Sequence, residues 1–222
     1  MRWAGTTLLA AALLAGAPAA AQGLSKPEKA IERMVDAEFE RSVALLARLV
    51  DQNSGTLNLQ GVAKVGEMMR AELEPLGFAV SWKPMDAVQR AGHLIAVHRG
   101  KPGGKRILLI GHLDTVFEPG SPFQKFVRAG DKAEGPGAGD DKGGMVVMIA
   151  ALRAMQAAGT LRDANIEIVL TGDEEDAGSP HSIARADLIA AGKRADVALD
   201  FEGLVIDGGK DMGSIARRSV TD

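Results

Sequence analysis

The sequence contains no cysteine and no tyrosine, and phenylalanine and tryptophan together make up only 4% of its 222 residues. The lack of cysteine excludes disulfides, thiolate metal sites and a cysteine nucleophile. The scarcity of aromatic side chains argues against a surface on which nucleic-acid bases stack. With 26 Lys and Arg against 29 Asp and Glu, the formal net charge is −3, and no stretch forms a basic face. We therefore predict no nucleic-acid partner.

Several catalytic signatures are also missing. There is no His-Glu-x-x-His helix, no Gly-x-Ser-x-Gly nucleophile turn, no P-loop and no Gly-x-Gly-x-x-Gly dinucleotide motif. Since thiolates are excluded as well, any metal ion would have to be held by histidine and carboxylate side chains.

The first 21 residues have the pattern of a signal peptide. Arg2 precedes an apolar run over residues 6–17, and Ala19, Ala20 and Ala21 satisfy the small-x-small rule for cleavage. The alternative is an uncleaved membrane anchor, but the run is shorter than the roughly 20 residues that a spanning helix needs. We expect cleavage after Ala21, export to the periplasm or medium, and no stable membrane association.

Apolar periodicity places helices and strands in alternation along the remaining chain. It predicts helices over residues 27–50, 59–76, 144–158 and 182–191, and strands over 78–82, 93–98, 106–110, 166–170 and 197–199. The strand runs are nearly continuous in apolar residues, which is typical of strands covered on both sides. The expected fold is α/β, with a largely parallel sheet and helices on both faces.

Polar side chains collect just after the predicted strands and before one helix. These strand-end clusters are His112 with Asp114, Asp140 with Asp141, Glu174 with Glu175, and Asp200 with Glu202. Taken singly, each has an ordinary explanation, such as a loop pair, a helix-start carboxylate or a surface charge. Open α/β sheets, however, bind ligands beyond the carboxyl ends of their strands. Four clusters at one edge therefore indicate a shared site.

The spacing within two clusters suits metal chemistry. His112 and Asp114 are two residues apart and point the same way in an extended chain. A metal-bound histidine usually donates its other ring N–H to a carboxylate, as this pair would allow. Glu174 and Glu175 can divide two tasks, one binding metal and the other accepting a proton from water. The remaining histidines (His93, His98 and His181) are not expected to be ligands.

Together and in this order, the clusters resemble family twenty of the metallopeptidases, the co-catalytic two-zinc amidohydrolases. The family includes glutamate carboxypeptidase, acetylornithine deacetylase, succinyl-diaminopimelate desuccinylase and aminoacylase. The matching motifs are GHLDTV (111–116), GPGAGDDKGG (135–144), TGDEED (171–176) and FEG (201–203). The related two-zinc aminopeptidases share His-x-Asp and Glu-Glu, whereas Asp-Lys-Gly-Gly favours the carboxypeptidase and deacylase side.

The resemblance implies a role for each cluster. The implied metal ligands are His112, Asp141 as the bridge between two ions, Glu175 and Glu202, with Asp200 as an alternative to the last. Asp114 would orient His112, and Glu174 would be the general base. The resemblance also implies a cis peptide bond between Asp141 and Lys142.

The implied cofactor is a pair of zinc ions, with cobalt or manganese as alternatives. The implied reaction is hydrolysis of an amide bond in a peptide or an N-acyl amino acid by a water that the metal pair activates. Two other functions stay open from the sequence, namely a two-zinc aminopeptidase and a non-catalytic binding module of the same fold.

The resemblance also implies a domain organisation. Residues 1–21 would be the signal peptide, 22–212 the N-terminal part of the zinc-peptidase-like catalytic domain, and 213–222 the start of a lid and dimerisation domain. Family members carry a last histidine ligand after that lid, and no histidine follows His181 here. We therefore expect a fragment that is inactive alone, from a longer enzyme that forms a homodimer. The exact substrate stays open.

Overall fold

The computed structural model describes residues 23–203 and the backbone of residues 205–207 and 210–212. The predicted signal peptide (1–21) and the predicted start of the lid domain (213–222) lie outside the described residues and remain predictions.

Six α-helices lie within the described part of the chain. They are α1 (Lys26–Ala37), α2 (Phe39–Asp51), α3 (Leu59–Leu73), α4 (Lys142–Ala157), α5 (His181–Ala184) and α6 (Ala186–Arg194). Short 3-10 turns occupy Glu74–Leu76, Asp86–Val88 and Leu161–Asp163. Across the described residues, no helix has both the length and the apolar character needed to cross a membrane.

Five of the strands form the main sheet. They are β1 (Ala79–Met85), β2 (Arg90–His98), β3 (Arg106–His112), β6 (Asn165–Thr171) and β7 (Val197–Asp200), in the order β1-β2-β6-β3-β7. Two hairpins stand apart from it: β4 (Val127–Ala129) with β5 (Lys132–Glu134), and β8 (Val205–Asp207) with β9 (Lys210–Met212). The sequence pattern missed the β4–β5 hairpin because each strand has only three residues and all of them are exposed.

The α/β class is confirmed, but the sheet is mixed rather than largely parallel. Strand β3 runs parallel to both β6 and β7, whereas β2 runs antiparallel to both β1 and β6. Two short connections explain the antiparallel strands, because a parallel crossover needs about a dozen residues or more. A 3-10 turn at Asp86–Val88 joins β1 to β2, and residues 99–105 join β2 to β3.

Two of the predicted helices are each divided in the structure. The predicted helix over 27–50 breaks at Glu38, which ends α1 and begins α2. The predicted helix over 182–191 breaks at Arg185, between α5 and α6. Apolar periodicity continues through both breaks and therefore did not reveal them.

The sheet carries helices on both faces, as predicted. On one face, α2, α3 and α4 enclose the main core with alternate strand residues such as Ile166, Ile168 and Leu170. On the other face, Ala191 of α6 packs against Leu108 and Val169. Alternate residues of β6 thus point into different cores, as a strand buried on both sides requires.

Two neighbouring residues of α4 provide a test of this core. Met148 is fully buried and Val147 is 60% exposed. We expect Met148→Ala to lower the free energy of unfolding by about 2–5 kcal/mol, because it removes buried atoms and leaves a cavity. The matched Val147→Ala variant should change it by less than about 0.5 kcal/mol. Urea titration measures both, and equal losses would contradict this assignment of the helix faces.

Candidate metal centre

Three parallel strands deliver the predicted site residues to one edge of the sheet. In the register of β3 with its neighbours, His112 lies beside Thr171 of β6, and Ile110 lies beside Asp200 of β7. The polar residues that follow each strand therefore leave the sheet at the same edge, as the sequence predicted. This arrangement is the one in which open α/β sheets bind ligands.

His112 is the centre of a cluster that could hold a metal ion. Its Nε2 lies 2.8 Å from Asp140 Oδ1 and 3.1 Å from Glu202 Oε1. One potential ligand atom from each of the three residues lies within 4.8 Å of the others. The imidazole is buried, whereas the Asp140 and Glu202 side chains are 63% and 36% exposed, so the cluster opens to solvent. One nitrogen and carboxylate oxygens form a donor set that suits zinc.

The second acidic residue of the Asp140–Asp141 pair lies elsewhere. Asp141 is fully buried, and its Oδ2 accepts the backbone N–H of His112 at 2.9 Å. Its Oδ1 is buried without a hydrogen-bond partner among the described residues. The structure thus places Asp140, and not Asp141, in the cluster with His112 and Glu202. The cis peptide bond joins Asp140 to Asp141, so the bond expected between Asp141 and Lys142 was wrong by one residue.

Asp114 supports His112 and joins three segments of the chain. Its Oδ1 lies 3.3 Å from His112 Nδ1, and its main-chain oxygen lies 3.1 Å from the same nitrogen. Its carboxylate also accepts the Thr56 hydroxyl at 2.7 Å. The backbone N–H groups of Glu174 and Glu175 donate to it at 3.0 and 3.1 Å. Asp114 is fully buried, so these donors offset the cost of removing its charge from water.

The residues predicted as base and second ligand lie in the segment after β6. We call residues 172–178 the glutamate segment. Asp114 fixes its backbone at Glu174 and Glu175, but among the described residues neither glutamate belongs to the cluster around His112. Of the two acidic residues at and after the end of β7, Glu202 belongs to the cluster and Asp200 does not. The geometry therefore favours Glu202 over its alternative.

Burial and crowded negative charge shift the protonation of the cluster. Burial alone would lower the pKa of His112, but the Asp114 hydrogen bond and the charges of Asp114, Asp141 and Glu202 raise it to about 10. Burial raises the pKa of Asp141 to about 7. The pKa of Glu202 is raised by burial and by the charge of Asp140, among others. A divalent cation among these groups would relieve the repulsion between their carboxylates.

One supporting residue, Thr56, was not predicted from any sequence pattern. Thr56 lies 58 positions before Asp114 and follows Asn53-Ser54-Gly55, a polar stretch typical of a loop after a helix. Gly55 forms a parallel bridge with Thr115, and Thr56 N–H donates to Thr115 O at 3.2 Å. These contacts place the Thr56 hydroxyl beside Asp114, which only the folded chain reveals.

A cavity opens at the opposite edge of the sheet. It has a volume of about 700 Å³, and its lining includes Arg99, Arg106 and Arg194 but no residue of the His112 cluster. Two of these arginines are already paired, Arg106 with Asp196 and Arg194 with Glu167. The candidate site is therefore located by the convergence of ligating atoms and not by the size of a cavity.

The raised pKa of His112 predicts how the stability of the metal-free chain depends on pH. The folded-state value of about 10 exceeds the unfolded value of about 6.5. Protonated His112 therefore stabilises the fold fully below about pH 6.5, and this contribution is lost as the pH rises towards 10. Urea unfolding in the presence of a chelator measures the free energy of unfolding near pH 6.5 and near pH 10. Between these two pH values, this free energy should fall more in the wild type than in His112→Asn. Equal losses would contradict the shift.

Comparison with known proteins gives a consistent result. A family model described as Peptidase family M20/M25/M40 matches residues 108–218. Carboxypeptidase G2 from Pseudomonas sp. is 34% identical over 206 residues, covering 90% of this chain and 47% of that protein. Succinyl-diaminopimelate desuccinylase from Novosphingobium aromaticivorans is 35% identical over 188 residues, covering 79% and 47%. The chain thus spans about half the length of the curated relatives it matches.

Solved structures show the same fold. Human carnosine dipeptidase 1 superposes with a TM-score of 0.65 at 21% identity, covering 80% of this chain and 42% of that one. The dipeptidase Dug1p from Saccharomyces cerevisiae gives 0.63 at 18% identity, covering 78% and 40%. At these identities the likeness shows the fold alone. The family model and the sequence identity to the relatives go further, and they establish that the chain belongs to the M20/M25/M40 family of peptidases.

Proposed function

We propose that this chain is the N-terminal part of an enzyme and supplies part of its two-zinc active site. The site would hydrolyse an amide bond in a peptide or an N-acyl amino acid. The observation that carries the proposal is the cluster of His112, Asp140 and Glu202 beside the Asp114-bound glutamate segment. Family membership supports it, as do two relatives named as a carboxypeptidase and a desuccinylase.

The ligand assignment follows the geometry of the cluster. His112 and Glu202 would hold one ion, and Glu175 would contribute to a second. We assign the shared ligand to Asp140 instead of Asp141, because Asp140 Oδ1 lies 2.8 Å from His112 Nε2. Asp141 would instead support the position of His112, by accepting its backbone N–H. Zinc suits this donor set, and cobalt or manganese are alternatives.

The roles of the other residues follow from their contacts. A divalent metal held here would supply Lewis-acid chemistry, which lowers the pKa of water and polarises a carbonyl group. Asp114 accepts from His112 Nδ1, which keeps Nε2 directed at the cluster. Glu174 would accept the proton of the attacking water and pass it to the leaving amine. The exposure of Glu174 in the structure leaves its carboxylate accessible for this task.

Two further proposals rest on the sequence and the family resemblance. We propose that the protein is exported, because residues 1–21 have the pattern of a cleaved signal peptide. We also propose that the complete protein forms a homodimer, as the resemblance implies.

Zinc binding by single variants tests the ligand assignment. We expect His112→Ala and Asp140→Asn to lower zinc affinity by at least about 100-fold, since even residues that only support ligands contribute about 10–100-fold. The matched Asp200→Asn variant should stay within about threefold of the wild type, because its carboxylate lies outside the cluster. Competition with a chromophoric chelator measures all three. Full zinc affinity in Asp140→Asn would refute the assignment.

Hydrolysis by the complete protein tests the proposed base. Glu174→Gln should lower kcat on an N-acyl amino acid or dipeptide by about 10²–10⁴-fold, because the amide cannot accept a proton. Zinc content should not change. The matched Glu134→Gln variant, in the exposed hairpin strand β5, should keep full activity. Unchanged kcat in Glu174→Gln would contradict its role, and cleavage that requires a free substrate amine would favour an aminopeptidase.

A further inference from the structure

The glutamate segment is held on two sides. On the side of the candidate metal centre, Asp114 accepts the N–H groups of Glu174 and Glu175. On the other side lie β2 and the α5–α6 helices, and the residues of the segment between Gly172 and Gly178 contact both. These contacts belong to residues with no role in the proposed chemistry.

Asp173 forms one of the contacts on the far side, where Arg90 of β2 also donates to Asp176 at 2.7 Å. Asp173 is fully buried, and its Oδ1 accepts from Arg185 Nη1 at 2.6 Å. Its Oδ2 accepts the N–H of Gly178 at 2.8 Å, which closes the segment on itself. Arg185 Nη2 also donates to the main-chain oxygen of Asp173 at 2.9 Å. The Arg185 guanidinium thus donates charge-assisted hydrogen bonds to both the side chain and the backbone of Asp173, the residue before Glu174.

His93 fixes the start of the same segment. It is fully buried, and its Nδ1 accepts the N–H of Gly172 at 3.2 Å. Its Nε2 lies 2.9 Å from Ala184 O, to which it therefore donates. The two contacts define a neutral ring with its proton on Nε2. His93 connects β2, the glutamate segment and α5, and it lies apart from the His112 cluster.

We infer that Asp173 and Arg185 are positioning residues for the two glutamates. Their ion pair, in which the Asp173 side chain is buried, sets the path of the backbone from which the Glu174 and Glu175 N–H groups meet Asp114. Because it assigns these residues a positioning role in the candidate metal centre, this inference rests on the proposed function. The backbone part of the inference can be tested without metal.

A second, more exposed ion pair, at the far end of α6 from Arg185, provides a control. Arg194, at the end of α6, pairs with Glu167 of β6 at 2.6 Å. Both pairs join the region of β6 to α6, but the Glu167 pair does not contact the glutamate segment. If the Asp173 pair only attaches the helix to the sheet, breaking either pair should have the same effect on the segment.

The test compares Asp173→Asn, Arg185→Lys and Glu167→Gln in the 222-residue chain. Amide hydrogen exchange of Glu174 and Glu175, measured by NMR without metal, reports the path of the segment. We expect at least about tenfold faster exchange at both amides in Asp173→Asn, with Ile168 in the core of β6 unchanged. Arg185→Lys should give exchange rates between those of the wild type and Asp173→Asn. An ammonium keeps the positive charge but lacks the planar pair of nitrogen donors. Glu167→Gln should leave both amides within about twofold of the wild type.

Zinc affinity of the same variants separates the inference from the proposed function. Asp173→Asn should weaken zinc about 10–100-fold, and Glu167→Gln should not. Unchanged exchange at Glu174 and Glu175 in Asp173→Asn, or equal changes in Glu167→Gln, would overturn the inference. If Asp173→Asn fails to fold, Arg185→Lys decides by the same criterion. A wild-type chain that takes up no zinc would refute the proposed site, while the exchange result would still decide the role of the ion pair.

Discussion

The candidate site depends on one buried carboxylate. Asp114 receives donors from the Thr56 hydroxyl, from the glutamate segment and from the His112 ring, so it connects three parts of the chain. Such a carboxylate persists in the interior only while its donors are in place. Its hydrogen bonds offset burial and keep its pKa low, which makes it the stable anion of the group.

Around this anion the structure concentrates negative charge at an open edge of the sheet. Burial and neighbouring carboxylates raise the pKa of Glu202 and Glu175, while Asp114 and its neighbours raise that of His112. Without a cation, the imidazole holds a proton to balance these charges. A divalent ion would take the place of that proton, which links metal binding at this edge to the release of protons. The fold thus provides a cluster of imidazole and carboxylate groups that could hold a cation.

The sequence predicted the parts of the site that depend on local pattern. Apolar runs located the strands, and the polar residues after His112, Thr171 and Asp200 had to meet because parallel strands end at one edge. The family resemblance pointed to Asp141 as the shared ligand, whereas Asp140 lies in the cluster with His112. Neighbouring residues point in different directions, and only the fold decides which one faces His112. Contacts between residues far apart in the sequence were likewise not predicted by any sequence pattern. Thr56 reaches Asp114 over 58 positions, and the Asp173–Arg185 pair has no pattern of its own. The antiparallel β2 followed from connection lengths, which apolar runs do not encode.

The most direct test of the site is the position of a bound zinc ion. Crystals of the chain grown with zinc, with diffraction recorded on both sides of the zinc absorption edge, would locate it by anomalous scattering. Our account predicts a peak within about 2.0–2.2 Å of His112 Nε2 and of carboxylate oxygens from Asp140 and Glu202. A peak bound by Asp141 in place of Asp140, or the absence of any zinc peak at His112, would contradict it.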